Sequence, residues 1–240
     1  MKILLANPNA TQAITEACRE LAHRAASTGT EVIAWTNRDG PPIVNSFYAD
    51  YAAGRALSLA LPRVAPPPDA IVLAGFGNYG TAAVKEVMEV PVVNIAEAAL
   101  AFALPFCHRF AVLTAPARMV PYTQDLIGLL GVAGRCAAVH AVNLPPPDEG
   151  EPSPASAVPA MVTAVERVIA ETGADLVVLG GARLSPYAAR LRDLVAVPIV
   201  EPVACGVQLA EAAVRLRLRQ SKAVKFAAPP GLRQGTDTWP

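Results

Sequence analysis

The chain has 240 residues, 53% of them hydrophobic, and its 20 basic and 20 acidic side chains cancel at neutral pH. This length suits one large domain or two compact ones of about 100 to 120 residues. The balanced charge argues against nucleic acid and membrane surfaces as partners, and no apolar run approaches the roughly 18 residues of a membrane span.

The start of the chain and its cysteines indicate a cytoplasmic protein. The first apolar run is too short for a signal peptide, and Pro8 and Asn9 close it as a strand end would. Four cysteines stand far apart, with no CxxC and no histidine at ligand spacing. This pattern predicts neither a disulfide framework nor a zinc site, and we expect no metal and no cofactor.

Strands and helices alternate in the first part of the chain. The pattern predicts, in chain order, strand 2–6, helix 11–26, strand 30–36, a turn-rich loop, a weak helix over 48–61, a proline-rich joint over 62–68, strand 70–74, glycines 75–80, a helix, and strand 90–95. The unbroken apolar run 70–74 indicates a strand buried on both faces, as in parallel sheets. The glycines then lie at its carboxyl end, where open α/β sheets bind ligands.

The same pattern returns in the second part of the chain at a nearly constant offset. Strand 110–116, strand 136–142, a turn-rich loop over 144–159, strand 175–179 with glycines, and strand 197–201 follow in the same order. Pro116 follows Pro8 by 116 − 8 = 108 positions, and Gly181 follows Gly75 by 181 − 75 = 106. Landmarks that keep one offset predict two structurally equivalent halves.

We therefore predict an α/β fold of two pseudo-symmetric, flavodoxin- or Rossmann-like halves, each with a parallel four-stranded sheet. The first half is expected to comprise residues 1–96 plus 206–225, the second residues 97–205, and the tail residues 226–240. A last helix over 206–219 has no room in the second half's repeat and is expected to pack on the first half. Glycine turns from the two halves would approach one ligand cleft, and helix N-termini there favour a small anion such as a carboxylate.

With these elements placed, the chain resembles the aspartate/glutamate/hydantoin racemase superfamily, and most closely hydantoin racemases. The resemblance covers nearly the whole chain and is carried by ANPNAT at 6–11, AGFGNYG at 74–80, PVVNIAEA at 91–98, HRFAVLT at 108–114, LGGA at 179–182, VQLAE at 207–211 and SKAVKFA at 221–227. It implies the two-half fold, an isomerase that acts on a small molecule without a cofactor, and a homo-oligomer.

The departure from the family concerns the two positions that carry the chemistry. Racemases of this family are similar in carrying a cysteine after each of the two glycine-bearing strands, where this chain has Gly75 and Gly181. Racemisation needs an acid on one face of the carbon and a base on the other, and paired thiols supply both. The related arylmalonate decarboxylases keep one of the two cysteines. The resemblance therefore implies the family's ligand but not its two-thiol mechanism.

Three side chains are candidates to replace the thiols. Tyr79 lies four positions after Gly75, and Arg183 lies two after Gly181, where it could clamp a carboxylate; each could equally be a packing or solvated loop residue. Cys205 falls near the N-terminus of the last predicted helix, where a thiol pKa is lowered, although small buried cysteines are commoner than reactive ones.

Substrate contacts are expected at the strand ends and the loops that follow them. On the resemblance, the set is Asn7, Asn9, Thr11, Tyr48, Phe76, Gly77, Asn78, Thr114 and Ala182. Asn9 and Thr11 could also simply cap the first helix.

Three other patterns carry a less specific signal. Glu97 could be a general base, but an early helical glutamate commonly complements the helix dipole. Cys107 and His108 are chain neighbours, which rarely face each other, and we expect both to be structural. Residues 75–80 match GxGxxG, but they follow the third strand rather than the first, and the repeat at 180–182 lacks the motif.

Three functions therefore stay open. The first is a racemase-family enzyme, racemase-like or decarboxylase-like, that acts at the carbon next to a carboxylate or cyclic imide. The second is a binding protein for such molecules, in which two glycines leave a roomier pocket. The third is nucleotide-dependent chemistry.

Overall fold

A computed structural model describes residues 1–142, 144 and 154–230 of the chain. Two compact units are present. The first comprises Met1–Ile95 with the described residues from Gly206 onward, and the second comprises Ala96–Cys205. None of the described helices has the length and hydrophobicity of a transmembrane segment.

The first unit is built on a parallel four-stranded sheet. Its elements up to residue 94 are β1 (Lys2–Asn7), α1 (Gln12–Ala25), β2 (Glu31–Thr36), α2 (Phe47–Ala60), β3 (Ala70–Leu73), α3 (Thr81–Val87) and β4 (Val92–Asn94). The strand order is β2-β1-β3-β4, and every neighbouring pair is parallel. Every residue of β3 is buried, as its unbroken apolar sequence predicts for a central parallel strand.

The second unit repeats this arrangement. Its elements are α4 (Ile95–Ala103), β5 (Phe110–Thr114), α5 (Met119–Leu129), β6 (Cys136–Ala141), α6 (Pro154–Thr172), β7 (Leu176–Leu179), α7 (Ala188–Arg192), β8 (Ile199–Val200) and the start of α8 (Pro202–Arg215). The strand order is β6-β5-β7-β8, again parallel throughout. Two four-stranded parallel sheets with matching order confirm the predicted α/β fold.

Each unit buries its own apolar core against its sheet. In the first, Leu57 and Val84 of the helices pack with Leu4 and Leu73 of the central strands. In the second, side chains of α6 such as Val165 pack with Leu113 and Leu179. Parallel neighbouring strands end at the same edge of a sheet. The carboxyl ends of β1 and β3 therefore lie side by side in the first unit, and those of β5 and β7 lie side by side in the second.

Two helices begin several residues away from their predicted starts. The turn-rich loop predicted over 144–159 is wrong over its last residues, because α6 already begins at Pro154. A proline fits the first helical position, where its missing N–H would have no helical partner. The rest of that predicted loop, apart from residue 144, lies outside the described residues.

The last helix begins four residues earlier than predicted, at Pro202 instead of 206. Glu201 precedes it, and its carboxylate accepts hydrogen bonds from the backbone N–H groups of Val203 (2.7 Å) and Ala204 (2.8 Å). A carboxylate there satisfies two amides that the helix leaves without partners.

The later turns of α8 are bound to the end of α1. Gln208 donates to the carbonyl of Ala25, and the Glu211 carboxylate accepts from the backbone N–H of Ser27 at 2.8 Å. Residues 226–230 form neither helix nor strand, and the remainder of the predicted tail, 231–240, lies outside the described residues.

Candidate active site

The glycine turn after β3 is held on several sides within the first unit. The side-chain amide of Asn94, at the end of β4, donates to the carbonyl of Gly77 at 2.8 Å and to the Thr81 hydroxyl at 3.0 Å. The backbone N–H of Thr81 donates to the carbonyl of Asn78 at 2.7 Å. These bonds fix the turn between β3 and α3 in one conformation.

Tyr79 is the unusual residue of this turn. Its φ is +44°, in the left-handed region, and its side chain is only 6% exposed. A non-glycine residue there costs about 1–3 kcal/mol and persists only where its surroundings hold it. The holding group is Asp50, a buried residue of α2 whose carboxylate accepts the Tyr79 backbone N–H at 2.5 Å. Strain of this kind is characteristic of functional positions.

The Tyr79 ring occupies the space beside both neighbouring glycines. A Cβ built on Gly75 would lie 2.3 Å from Cε2 of Tyr79 and 2.7 Å from Cγ of Pro8. A Cβ on Gly77 would lie 2.5 Å from Cζ and 2.8 Å from the hydroxyl oxygen of Tyr79. The expectation of a roomier pocket at position 75 is therefore wrong, because the phenol ring fills the space that a side chain there would take.

The environment of the phenol favours its protonated form. Burial raises the pKa of Tyr79 well above its ordinary value, and the nearby Asp50 carboxylate raises it further. Both effects disfavour the phenolate anion. At neutral pH the phenol is therefore a neutral hydroxyl that can donate a proton or a hydrogen bond.

The equivalent position in the second unit is open. Apart from the two residues next to it in the chain, no described residue has an atom within 4 Å of where a Cβ on Gly181 would stand. Ala182 is buried and Arg183 is half-buried in the turn that follows. Ser185, four residues after Gly181 as Tyr79 is after Gly75, is 1% exposed, and its hydroxyl has no hydrogen-bond partner among the described residues.

Asn7, at the end of β1, is the centre of a buried polar network. Its side-chain amide donates to Asn9 Oδ1 at 3.1 Å, to the Thr11 carbonyl at 3.2 Å and to the Thr15 hydroxyl at 2.9 Å. Asn9 Oδ1 also accepts the backbone N–H of Thr11 at 2.9 Å, while the Thr11 hydroxyl donates to the carbonyl of Pro42. The side chains of all three residues thus bind protein groups and shape the loop before α1.

Thr11 stands at the capping position of α1, but its side chain does not bind the helix amides. The remaining predicted contact residues have different exposures. Phe76 is 3% exposed and Thr114 is 1% exposed, with its hydroxyl 3.4 Å from the Gly180 carbonyl. Asn78 is exposed beside Tyr79, and Tyr48, in the first turn of α2, is 86% exposed.

Cys205 does not have the lowered pKa that its place near a helix start predicted. Burial and, after it, the adjacent Glu201 carboxylate raise the pKa of its thiol to about 12, while Arg192 opposes the change. The prediction failed because burial and a carboxylate next to the helix start outweigh the helix dipole at this site.

The neighbours Cys107 and His108 take part in backbone interactions. The Cys107 thiol donates to the Ala103 carbonyl at 3.3 Å, and the His108 backbone N–H donates to the Asp175 carboxylate at 2.7 Å. Arg135 donates to the carbonyls of both residues. These contacts fit a structural role. Glu97 lies half-buried in the first turn of α4.

Two residues of the site were not singled out from the sequence. Asp50 lies inside a weakly predicted helix, and nothing local indicates that its carboxylate reaches a turn 29 residues away. Asn94 ends β4 as Asn7 ends β1, so its position at a strand end was the available signal. Among the described residues, no group of three or more histidine, cysteine, aspartate or glutamate side chains could hold a metal ion.

The glycine turn also bears on the nucleotide alternative. In a dinucleotide motif the glycines leave the backbone bare so that pyrophosphate can approach it closely. Here the Tyr79 ring lies against Gly75 and Gly77. This contact argues against a phosphate cradle.

Comparison with known proteins gives consistent matches over nearly the full chain. The family model described as Asp/Glu/Hydantoin racemase matches residues 3–210. Hydantoin racemase from Paenarthrobacter aurescens is 32% identical over 231 residues, which cover 95% of this chain and 98% of that protein.

Two solved structures have the same fold at similar identity. Allantoin racemase from Pseudomonas fluorescens is 34% identical with a TM-score of 0.91, covering 97% of this chain and 99% of that chain. Allantoin racemase from Klebsiella pneumoniae is 30% identical with a TM-score of 0.90, covering 97% and 96%.

Proposed function

Because the chain belongs to the Asp/Glu/hydantoin racemase family, we propose that it is an enzyme that transfers a proton at the carbon next to the carboxylate or cyclic imide of a small molecule, without the family's pair of thiols. The relatives named for hydantoin and allantoin favour a cyclic imide or ureide as the ligand.

The observation that carries the proposal is the position of the Tyr79 ring. Its Cε2 atom lies 2.3 Å from where a side chain at position 75 would begin, so the aromatic ring fills the space beside the position expected for the first thiol, and its hydroxyl lies beside Gly77. Phenols serve as general acids in proteins. A buried carboxylate, Asp50, holds this residue in a strained backbone conformation, which supports a functional rather than an incidental placement.

The polar residues around the turn would bind the ligand. Asn78 is exposed directly before Tyr79 and carries both an amide donor and an acceptor, which match the alternating N–H and C=O groups of an imide ring. In the second unit Arg183 would bind a carboxylate as a bidentate donor. Asn7, Asn9 and Thr11 would act through the loop that they shape, since their side chains bind protein groups.

A second candidate function is binding without catalysis. The observation in its favour is the open space at Gly181, where no described atom outside the two neighbouring residues of the chain lies within 4 Å of the position that a Cβ would take. A binding protein needs only the space and the polar groups at this turn, and the raised pKa of Cys205 keeps that thiol protonated at neutral pH, so it supplies no base.

One experiment separates the two functions. The protein is incubated in deuterated water with 5-substituted hydantoins, allantoin, aspartate, glutamate and arylmalonates, and the proton on the reacting carbon is followed by NMR. The enzyme proposal predicts enzyme-dependent exchange, turnover or decarboxylation of at least one compound. A thermal shift with some of these compounds and no reaction with any would instead support the binding protein and overturn the proposal.

We also propose a cytoplasmic location and association of like chains. None of the four cysteines forms a disulfide, which fits a reducing compartment. The exposed side chains of Phe47, Tyr48 and Tyr51 at the start of α2 support a self-association surface.

A further inference from the structure

An open cavity of about 480 Å³ lies at the carboxyl end of β2, an edge strand of the sheet in the first unit. The residues that line it are Gln12, Ala34, Trp35, Thr36, Arg38 and Asp39. Its volume falls within the range of about 300–1,000 Å³ that small-molecule sites occupy. The cavity shares no residue with the Tyr79 turn or with the predicted substrate contacts.

The two charged residues of the cavity lie on an anchored turn. The backbone N–H of Gly40 donates to the carbonyl of Asn37 at 3.0 Å, which closes a turn with Arg38 and Asp39 at its centre. Asn37 is fully buried, and its side-chain amide donates to the carbonyl of Pro8 at 2.9 Å. The side chains of Arg38 and Asp39 are exposed, and neither forms an ion pair or a hydrogen bond with any described residue. A guanidinium and a carboxylate therefore stand at the cavity without a partner in the described part of the fold.

Gln12 adds a donor whose orientation follows from a chain of hydrogen bonds. The start of the chain is fixed, because the Asn7 side-chain nitrogen donates to the carbonyl of Thr11, which can only accept. The same nitrogen donates to the Thr15 hydroxyl at 2.9 Å. That buried hydroxyl has no acceptor among the described residues other than Thr36, at 2.7 Å, so Thr36 gives its single proton to Gln12 Oε1 at 2.9 Å. The oxygen of the Gln12 carboxamide is thus occupied, and its NH₂ group is left to bind an occupant of the cavity.

The remaining lining comes from the exposed edge of β2. The backbone N–H groups of Glu31 and Asn37 donate toward β1, so the alternate residues Ala34 and Thr36 direct their backbone groups away from it. Trp35 is half-buried and packs against the core of the first unit. Its indole offers a flat apolar surface with one N–H donor. The cavity therefore combines a cation, an anion, amide donors and an aromatic surface.

We propose that this cavity binds a free α-amino acid in its zwitterionic form, with a preference for an aromatic side chain. The carboxylate of the ligand would accept from the Arg38 guanidinium and the Gln12 amide. Asp39 would accept from the ammonium group, and the side chain of the ligand would pack on Trp35. A molecule with both charges on one carbon matches a cavity whose two charged residues are neighbours. The inference does not depend on the proposed function, since it concerns another place in the fold.

Trp35 provides a direct measurement of occupancy. The chain has two tryptophans, Trp35 and Trp239, so a Trp239→Phe variant retains only the indole of the cavity. We expect L-phenylalanine to change its fluorescence saturably with a Kd of the order of 1 mM, and calorimetry on the unaltered protein to give the same value. 3-Phenylpropanoate lacks the ammonium group and 2-phenylethylamine lacks the carboxylate, so each should bind at least about tenfold more weakly.

Two results of these titrations would overturn the proposal. The first is equal binding of the three compounds, which would show that the charges are not recognised. The second is the absence of phenylalanine binding by both methods at about 20 mM, well above the expected Kd.

Charge-neutralising variants locate the ligand. Arg38→Gln should weaken phenylalanine binding at least about tenfold. Arg24→Gln, which removes an exposed guanidinium from α1 of the same unit, is the matched control and should bind as the unaltered protein does. Asp39→Asn should abolish the advantage of phenylalanine over 3-phenylpropanoate, because the ammonium group loses its partner. The replaced side chains are exposed, so the variants should fold, which circular dichroism checks. Phenylalanine binding that is unchanged in both Arg38→Gln and Asp39→Asn would place the ligand elsewhere and overturn the proposal.

Discussion

A thiol introduced at position 75 is expected to destabilise the protein, because the Tyr79 ring already fills that space. In Gly75→Cys the new Cβ would approach Cε2 of Tyr79 to 2.3 Å and Cγ of Pro8 to 2.7 Å, distances that real Cβ atoms essentially never show. The ring has little room to yield, since it also lies against Gly77 and is 6% exposed. Something in this packed turn must therefore move.

The expected magnitude is that of overpacking a well-filled site. Such changes typically cost about 1–3 kcal/mol, which lowers the melting temperature of a chain of this size by about 2–12 °C. Gly181→Cys is the matched control, because no described atom outside the two neighbouring residues of the chain lies within 4 Å of its Cβ position. Its cost should stay within about 0.5 kcal/mol, as for ordinary surface substitutions.

A double-mutant cycle with Tyr79→Gly isolates the contact. Tyr79→Gly alone loses the packing of a buried ring, about 3–5 kcal/mol, and regains about 1 kcal/mol by relieving the left-handed backbone. In that background Gly75→Cys retains only the Pro8 contact, so its cost should fall by at least about 1 kcal/mol, measured by urea unfolding. Additive effects, or equal costs for Gly75→Cys and Gly181→Cys, would refute the reasoning.

Three further predictions concern the surroundings of the site. Asp50→Ala should lower the free energy of unfolding in urea by about 1.5–3 kcal/mol, because it removes a charged hydrogen-bond acceptor. Asp50→Asn should keep most of the stability and lower the pKa of Tyr79, measured by ultraviolet titration. An unchanged pKa would contradict the role given to Asp50. Burial of Glu211 opposes its ionisation, but hydrogen bonds led by that from Ser27 lower its pKa overall. Its carboxylate therefore stabilises the fold at pH values above the unfolded pKa of about 4.3, and this stabilisation is lost as the pH falls through the lower folded pKa. Glu211→Gln should therefore cost about 1.5–3 kcal/mol at neutral pH, with the difference from the unaltered protein shrinking below about pH 4; a constant difference would count against it. The Cys205 thiol, with a pKa of about 12, should be alkylated by iodoacetamide at about pH 8 far more slowly in the folded than in the unfolded chain, and equal rates would show that it is accessible and ionised.

The repeat made the fold predictable from the sequence. The apolar runs that form β3 and β7 have no polar alternation, which indicates parallel strands buried on both faces. The offset between Gly75 and Gly181 identified these two strands as equivalent elements of the repeat. Burial patterns of this kind are local and periodic, so a single sequence contains them. The start of α8 was missed because its signal is the side chain of Glu201, which accepts two helix amides only after the chain has turned.

The strands and turns around the candidate site were predictable from the sequence, but the contacts of its side chains were not. The residues after β3 and β7 were identified from the strand ends, and Tyr79 was named among the possible replacements. That its ring would stand over Gly75 depends on a left-handed backbone at a tyrosine, which local preference disfavours and which the distant Asp50 carboxylate holds. The predicted lowering of the Cys205 thiol pKa was wrong, because burial, which tertiary packing sets, outweighed the effect of the helix start.

The most direct test of the central claim is the rate of proton exchange in Tyr79→Phe. The phenylalanine ring keeps the packing against Gly75 and removes only the hydroxyl, so the fold should be preserved. If the phenol carries the proton, exchange of the preferred compound in deuterated water should fall by about 10²–10⁴-fold, with a melting temperature close to that of the unaltered protein. Exchange at an unchanged rate in the folded variant would show that another group performs the chemistry.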